Sequence, residues 1–353
     1  MENNIDRRYA AGNKYPGPVA AGAIFSLVTI LLTYGGKFLA FNNSFLKSGM
    51  GEILLILVPV MLFLLAGGYN IRETLKLKAT RPFNYLVIVF LMMFGIPVVG
   101  VLNAIVLGII RLIFGKNLPI PPINIPDTPT LFIAILVIGV SAAVCEETLF
   151  RGFISKGYRG LGTAASLVVT SVLFGILHRD IQKGVSTILL GALIGFIVYR
   201  TGSLYSGMVA HFTNNSIAVL LSYASSGLSK RMNSMGIEQA ENFDFSGIPT
   251  ASMIIVIIFY LILFLGFLAG FIAIFYGFLK STEGDVRERI FHADMTGHQD
   301  RVMPMGSKTG LAGILSLLPG LALILLTFAG QILELMNVNS GIIYGALKSI
   351  GLL

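Results

Sequence analysis

Apolar runs of about 18 residues or more alternate along the chain with short polar segments, and each run is long enough to cross a bilayer as a helix. Nine such runs can be marked, at about 19–36, 53–70, 85–110, 131–150, 163–178, 184–199, 203–225, 253–279 and 310–335. The fifth and sixth are the shortest. Inside hydrocarbon every backbone N–H and C=O needs a partner. Long unbroken runs supply partners as helices, whereas barrel strands would alternate over about ten residues. The expected fold is therefore all-α, a polytopic transmembrane helical bundle of about eight to nine spans. Three spans fall in an N-terminal region (1–128), four in a central core (129–225), and two, with a long loop, in a C-terminal region (226–353). The opening segment "MENNIDRRYAAGNKYPGP" is polar, and the first apolar run is long enough to be a span itself, so that run is read as a retained helix and not a cleaved signal.

Composition agrees: 55% of the 353 residues are hydrophobic and 12% are charged. The net charge of +8 belongs to a membrane protein, where basic excess sets orientation, so no nucleic-acid partner is expected. With the N-terminus in the cytoplasm, sixteen of the twenty-five basic residues fall on the inner side, in the sense of the positive-inside rule. The expected location is the plasma membrane of a bacterium, multi-pass. The single cysteine, Cys145, allows no disulfide framework and reads as a packing residue. The 226–248 and 280–309 segments read as solvated connectors; His292 and His298 in the latter sit six apart without a cysteine nearby, a poor metal pair.

Ionisable groups within spans are costly and mark function. They concentrate in one region: Glu146, Glu147 and Arg151 in the fourth span, His178 closing the fifth, and His211 with Asn214 and Asn215 in the seventh. Helical spacing sorts them. Glu147 and Arg151 are four apart, acid first, the favourable order for an ion pair, while Glu146 points about 100° away. His211 and Asn215 share a face. The turn near Gly162 lies sixteen residues from both Glu146 and His178, so an antiparallel hairpin brings those two level. Depths counted from the presumed membrane boundary, roughly 8 Å for Glu146 and 21 Å for His178, agree only if Arg151 is itself buried or the helices tilt.

A carboxylate in a partly dry cavity beside a histidine can take a proton from water, so Glu146 and His178 are candidates to make a nucleophile. His211 and Asn215 would then donate to the oxygen that becomes negative as water adds to a carbonyl. The chemistry suggested is amide hydrolysis. No serine or cysteine arrangement competes strongly. There is no His-Glu-x-x-His helix, and two histidines, a glutamate and an asparagine make a borderline zinc site at best, so the expected mechanism uses no cofactor, with zinc as the alternative.

"EETLFR" (146–151), "FGILH" (174–178) and "HFTNN" (211–215) resemble, in order, the Glu-Glu-x-x-x-Arg, Phe-x-x-x-His and His-x-x-x-Asn motifs of the CPBP intramembrane proteases, also called the Abi family, which include type II CAAX prenyl endopeptidases and bacteriocin-processing enzymes. "RTGSLYSGMVAH" resembles the lead into the last motif, and the likeness covers about residues 130–225. It implies that Glu146 and His178 activate water, that His211 and Asn215 form the oxyanion site, and that Glu147, Arg151 and Phe174 support them. The substrate would be a peptide or a membrane-associated protein in the lipid bilayer. Two other classes stay open: a non-catalytic membrane scaffold or immunity protein of the same fold, and a proton-coupled transporter.

Overall fold

In the computed structural model, described over residues 15–119, 123–235, 250–288, 307–338 and 340–352, the apolar runs are helices, and no strand occurs among the described residues. In chain order they are α1 (Pro18–Phe38), α2 (Ser44–Ala66), α3 (Pro82–Phe114), α4 (Thr128–Gly157), α5 (Thr163–Leu177), α6 (Gly184–Thr201), α7 (Leu204–Ser234), α8 (Thr250–Ser281), α9 (Lys308–Leu335) and a short amphipathic α10 (Ile342–Ser349). Seven of these, α1 to α4, α6, α8 and α9, are long and apolar enough to cross a membrane. The protein is a multi-pass membrane protein.

The two other expected spans exist as helices and differ from the seven for separate reasons. The 15 residues of α5 reach only about 22 Å, short of a hydrocarbon core of about 30 Å. Helix α7 has 31 residues, but its hydroxyl, amide and imidazole side chains make it too polar to count. It also runs to Ser234, so residues 226–234, expected as part of a connector, are helical. The remainder of that connector, and His292 and His298 in the 280–309 loop, lie outside the described residues.

Helix ends follow local chemistry. The Asn43 side chain accepts from the N–H groups of Phe45 and Leu46 at the start of α2, at 2.9 and 3.1 Å. Asp127 does the same for Thr130 at the start of α4, at 2.8 Å, and those hydrogen bonds hold its carboxyl below the ordinary aspartate value. The capping contribution is therefore present at neutral pH and fades as acid protonates Asp127. Gly115 and Gly202, with φ of 75° and 67°, stop α3 and α6 in the left-handed conformation that a side chain would strain.

Without a strong hydrophobic drive between helices in lipid, close packing relies on small residues and interhelical hydrogen bonds. Against α1, Ser26 donates to the Ser316 carbonyl of α9 at 2.7 Å and accepts from Gly320 N–H at 3.1 Å. The α5–α6 hairpin is also tight: a Cβ on Gly175 would stand 2.3 Å from Ile188 Cγ1 and 2.9 Å from its backbone nitrogen. Since backbone cannot swing aside, Gly175→Ala is expected to cost about 1–3 kcal/mol by overpacking. It should lower the midpoint of denaturant unfolding in detergent, and an unchanged midpoint would contradict the packing described.

Helix α4 sits among the others and contributes Phe150 and Phe153, both inaccessible, to an aromatic core with Phe25 of α1 and Phe174 of α5. The loop after α5 is tied down on the other side. Arg179, with φ of 53°, donates to Thr33 Oγ1 at 3.0 Å and to the Leu32 carbonyl, while its own carbonyl accepts from Gln331 of α9 at 2.7 Å. Its neighbour His178 is thus held at the end of α5 by contacts from α1 and α9.

Candidate active site

The backbone of α4 is irregular where the acids lie. Wide i→i+5 turns at Ile135–Ser141 and Thr148–Ile154 flank an α-helical step at Ala142–Glu147, and such turns recur at functional sites because they re-aim side chains. The two glutamates leave this step in different directions, as the helical spacing predicts.

Glu147 is inaccessible and lies between two donors. Arg151 Nη1 donates to its Oε1 at 2.8 Å, and His211 Nδ1 approaches the same oxygen at 2.9 Å. The second guanidinium nitrogen of Arg151 donates to the Gly191 carbonyl of α6 at 2.8 Å, and its carbon stands 4.3 Å from the centre of the Phe174 ring. Arg151 is only 2% exposed. The ion pair is therefore buried inside the bundle. Gly207 of α7 keeps this space open, since a Cβ there would stand 2.8 Å from Glu147 Oε2.

Glu146 faces α5. Its Oε2 lies 3.9 Å from His178 Nε2, with the two side chains 12% and 35% exposed. The pair is close but not in direct hydrogen bond, and Glu146 Oε2 is itself shut from solvent without a partner. His178 Nδ1 lies 3.0 Å from the Phe174 carbonyl. A carbonyl only accepts, so Nδ1 carries a proton, and Nε2 is the ring nitrogen turned toward Glu146.

Phe174 stands between the two histidines, its centroid 5.0 Å from the His178 ring and 5.8 Å from the His211 ring. Asn215, one turn after His211, donates from Nδ2 to the Ile138 carbonyl of α4 at 2.8 Å and accepts from Asn214 at 2.9 Å. Six of the residues singled out in the sequence thus fall in two linked parts, and Asn215 bonds to Ile138 and Asn214. Glu146 and His178 form one, and Glu147, Arg151 and His211 form the other, with Phe174 between them. His211 Nδ1 is taken by Glu147, so Nε2 is the atom left for other work.

Glu52 escaped the sequence reading. It was placed one residue outside the second span, whereas α2 starts at Ser44 and carries it inward. It begins the wide turn Glu52–Leu57 and lies within electrostatic reach of Glu146 and Cys145, with its Oε2 shut from solvent and without a partner. The available signal was the sequence from Ser44, whose Asn43 cap marks a helix start nine residues before the apolar run. Among the described residues no three His, Cys, Asp or Glu side chains are placed to hold a metal ion. The donors here do not make up the three-ligand set of a catalytic zinc site.

Residues 128–217, about a quarter of the chain, match the model of a protein family described as type II CAAX prenyl endopeptidase Rce1-like. That segment holds every residue of the two linked parts. No curated protein and no solved structure matches the chain.

Proposed function

We propose that this membrane protein, whose residues 128–217 belong to the Rce1-like family of CAAX-type intramembrane proteases, is an endopeptidase that hydrolyses a peptide bond of a peptide or membrane-associated protein with water activated by Glu146 and His178. The observation that carries the reading is the 3.9 Å separation of Glu146 Oε2 and His178 Nε2. One water can bridge the two across such a gap.

In the reaction, Glu146 takes a proton from that water as its oxygen bonds to the scissile carbonyl carbon, and the carbonyl oxygen becomes negative. His211, protonated at Nε2 while Glu147 holds Nδ1, and the second N–H of Asn215 Nδ2 donate to that oxygen. The proton held by Glu146 then passes to the amide nitrogen, the C–N bond breaks, and a carboxylic acid, which keeps the second water proton, and an amine leave. Glu147 and Arg151 orient His211 and touch no reacting atom. No step is routed through a metal.

In the same reading the N-terminus and the turn at 157–162 face the cytoplasm, which follows from the basic residues gathered there. The substrate class is tested by comparing the membrane proteomes of cells carrying wild type and Glu146→Gln. A precursor that accumulates only with the variant, and whose new terminus disappears, identifies the substrate. Identical proteomes together with an intact cellular phenotype would instead assign the chain to a non-catalytic scaffold.

A further inference from the structure

Glu52 takes no part in the reaction described above, yet it lies against the helix step that carries the base. On α2, Gly49 packs on Val137 of α4, where a Cβ would stand 3.3 Å from both methyl carbons, and Ile56 is buried in the same core as Cys145 and Leu149. Glu52 falls between these two contacts, so the face of α2 that carries it is the face laid on α4. The wide turn Glu52–Leu57 begins with it. Its charge and that of Glu146 act on each other, and both reach the Cys145 thiol.

We propose that Glu52 and Glu146 hold one proton between them, carried by Glu52, and that Glu52 is thereby a positioning residue for Glu146.

The first support is a pair of orphaned atoms. Oε2 of Glu52 and Oε2 of Glu146 are each shut from solvent without a hydrogen-bond partner. Two carboxylates this close, with those oxygens out of reach of water, cost far more to ionise together than singly. One proton removes a charge and also supplies a donor, directly or through a single water, where there is none.

The second support is the uneven setting of the two acids, which decides where the proton sits. Glu146 has His178 of α5 at 3.9 Å and lies within the field of Arg151 on its own helix. From α7, His211 is turned to Glu147 instead. Helices α1 and α4 pack on the Glu52 turn. The cation of α1, Lys37, has its amine 5.7 Å from the centre of the Tyr34 ring, and Lys47 of α2 is exposed. Among the described residues no cation forms an ion pair with Glu52. Nearby cations favour the charged form of an acid, so the charge rests on Glu146 and the proton on Glu52.

The catalytic consequence rests on the reading of Glu146 as the base. A neutral Glu52 leaves Glu146 its charge and restrains its carboxylate by one hydrogen bond, so that it stays aimed at the water beside His178. Glu52 touches neither that water nor the substrate and keeps its proton throughout, so the balance of the hydrolysis is unchanged.

The test is infrared spectroscopy of the full chain in a maltoside detergent, which has no ester carbonyl, with and without heavy-carbon label in the glutamate carboxyls. A protonated carboxyl absorbs above a carboxylate, and its band moves down in heavy water. At neutral pH wild type is expected to show such a band, lowered by the label, and Glu52→Gln to lack it, because the acid left behind faces no second charge. With a quenched membrane peptide, Glu52→Leu should lose roughly tenfold in turnover, about one hydrogen bond to a charged group. Glu52→Gln should recover part of that loss, since its amide can still donate to Glu146. Identical spectra for wild type and Glu52→Gln overturn the proposal, as does turnover in Glu52→Gln no better than in a folded Glu52→Leu. If Glu52→Leu does not fold, the spectra of the other two proteins decide. A wild type that shows the band and cleaves no peptide supports the shared proton and removes the protease reading, so the two failures are told apart.

Discussion

Glu146→Gln is expected to leave a folded protein whose turnover of a cleavable peptide falls by roughly 100- to 10,000-fold, the range associated with loss of a general base. The substitution keeps shape and volume. It removes the negative oxygen that lies 3.9 Å from His178 Nε2, and an amide there cannot accept a proton from water. Because Glu146 has no direct ion pair in which it is held, and its side chain is partly accessible, the unfolding midpoint should stay close to that of wild type. His178→Gln should lower turnover by a comparable factor, and the double variant should be little worse than either single one, since two groups acting on one water fail together. Purified protein in proteoliposomes, assayed with a quenched membrane peptide, provides the measurement. Wild-type turnover in Glu146→Gln would end the proposed chemistry, whatever the fold.

Much of this region was legible in the sequence because helical geometry is rigid. Four-residue spacing joined Glu147 to Arg151 before any coordinates, and the sixteen-residue symmetry about Gly162 put Glu146 level with His178 across the α4–α5 turn. What spacing could not supply was the third dimension. Whether His211 on α7 would reach Glu146 or Glu147 depends on how far α7 is rotated against α4, and that is set by close contacts such as Gly207 against Val198 and Glu147. Glu52 was missed for a related reason. Hydropathy finds where a run becomes apolar, and a helix that starts with Ser44 carries polar residues inward before the run begins. The polar α7 shows the opposite failure: its side chains hydrogen-bond within the bundle, as Asn215 does to Ile138, so its hydropathy understates how well it is buried.

Arg151→Leu is expected to be among the most destabilising substitutions in the chain, at about 3–5 kcal/mol, because it leaves the Glu147 carboxylate inaccessible to water with one donor in place of two. Adding Glu147→Gln should recover most of that loss. The amide is neutral, so no charge is stranded, and its oxygen still accepts from His211 Nδ1. The comparison is informative because Arg151 does more than pair with Glu147: it donates to the Gly191 carbonyl and lies over Phe174. Those contacts vanish in both the single and the double variant, so they cancel in a double-mutant cycle and the coupling that remains belongs to the pair. An exposed pair would give a coupling of about 0–1 kcal/mol; burial as complete as that of Glu147 and Arg151 predicts a value several times larger. The cycle is read from the unfolding of the four proteins in mixed micelles. Strict additivity would mean that the two side chains do not meet in the folded protein, and that the orientation of His211 is owed to something other than Glu147.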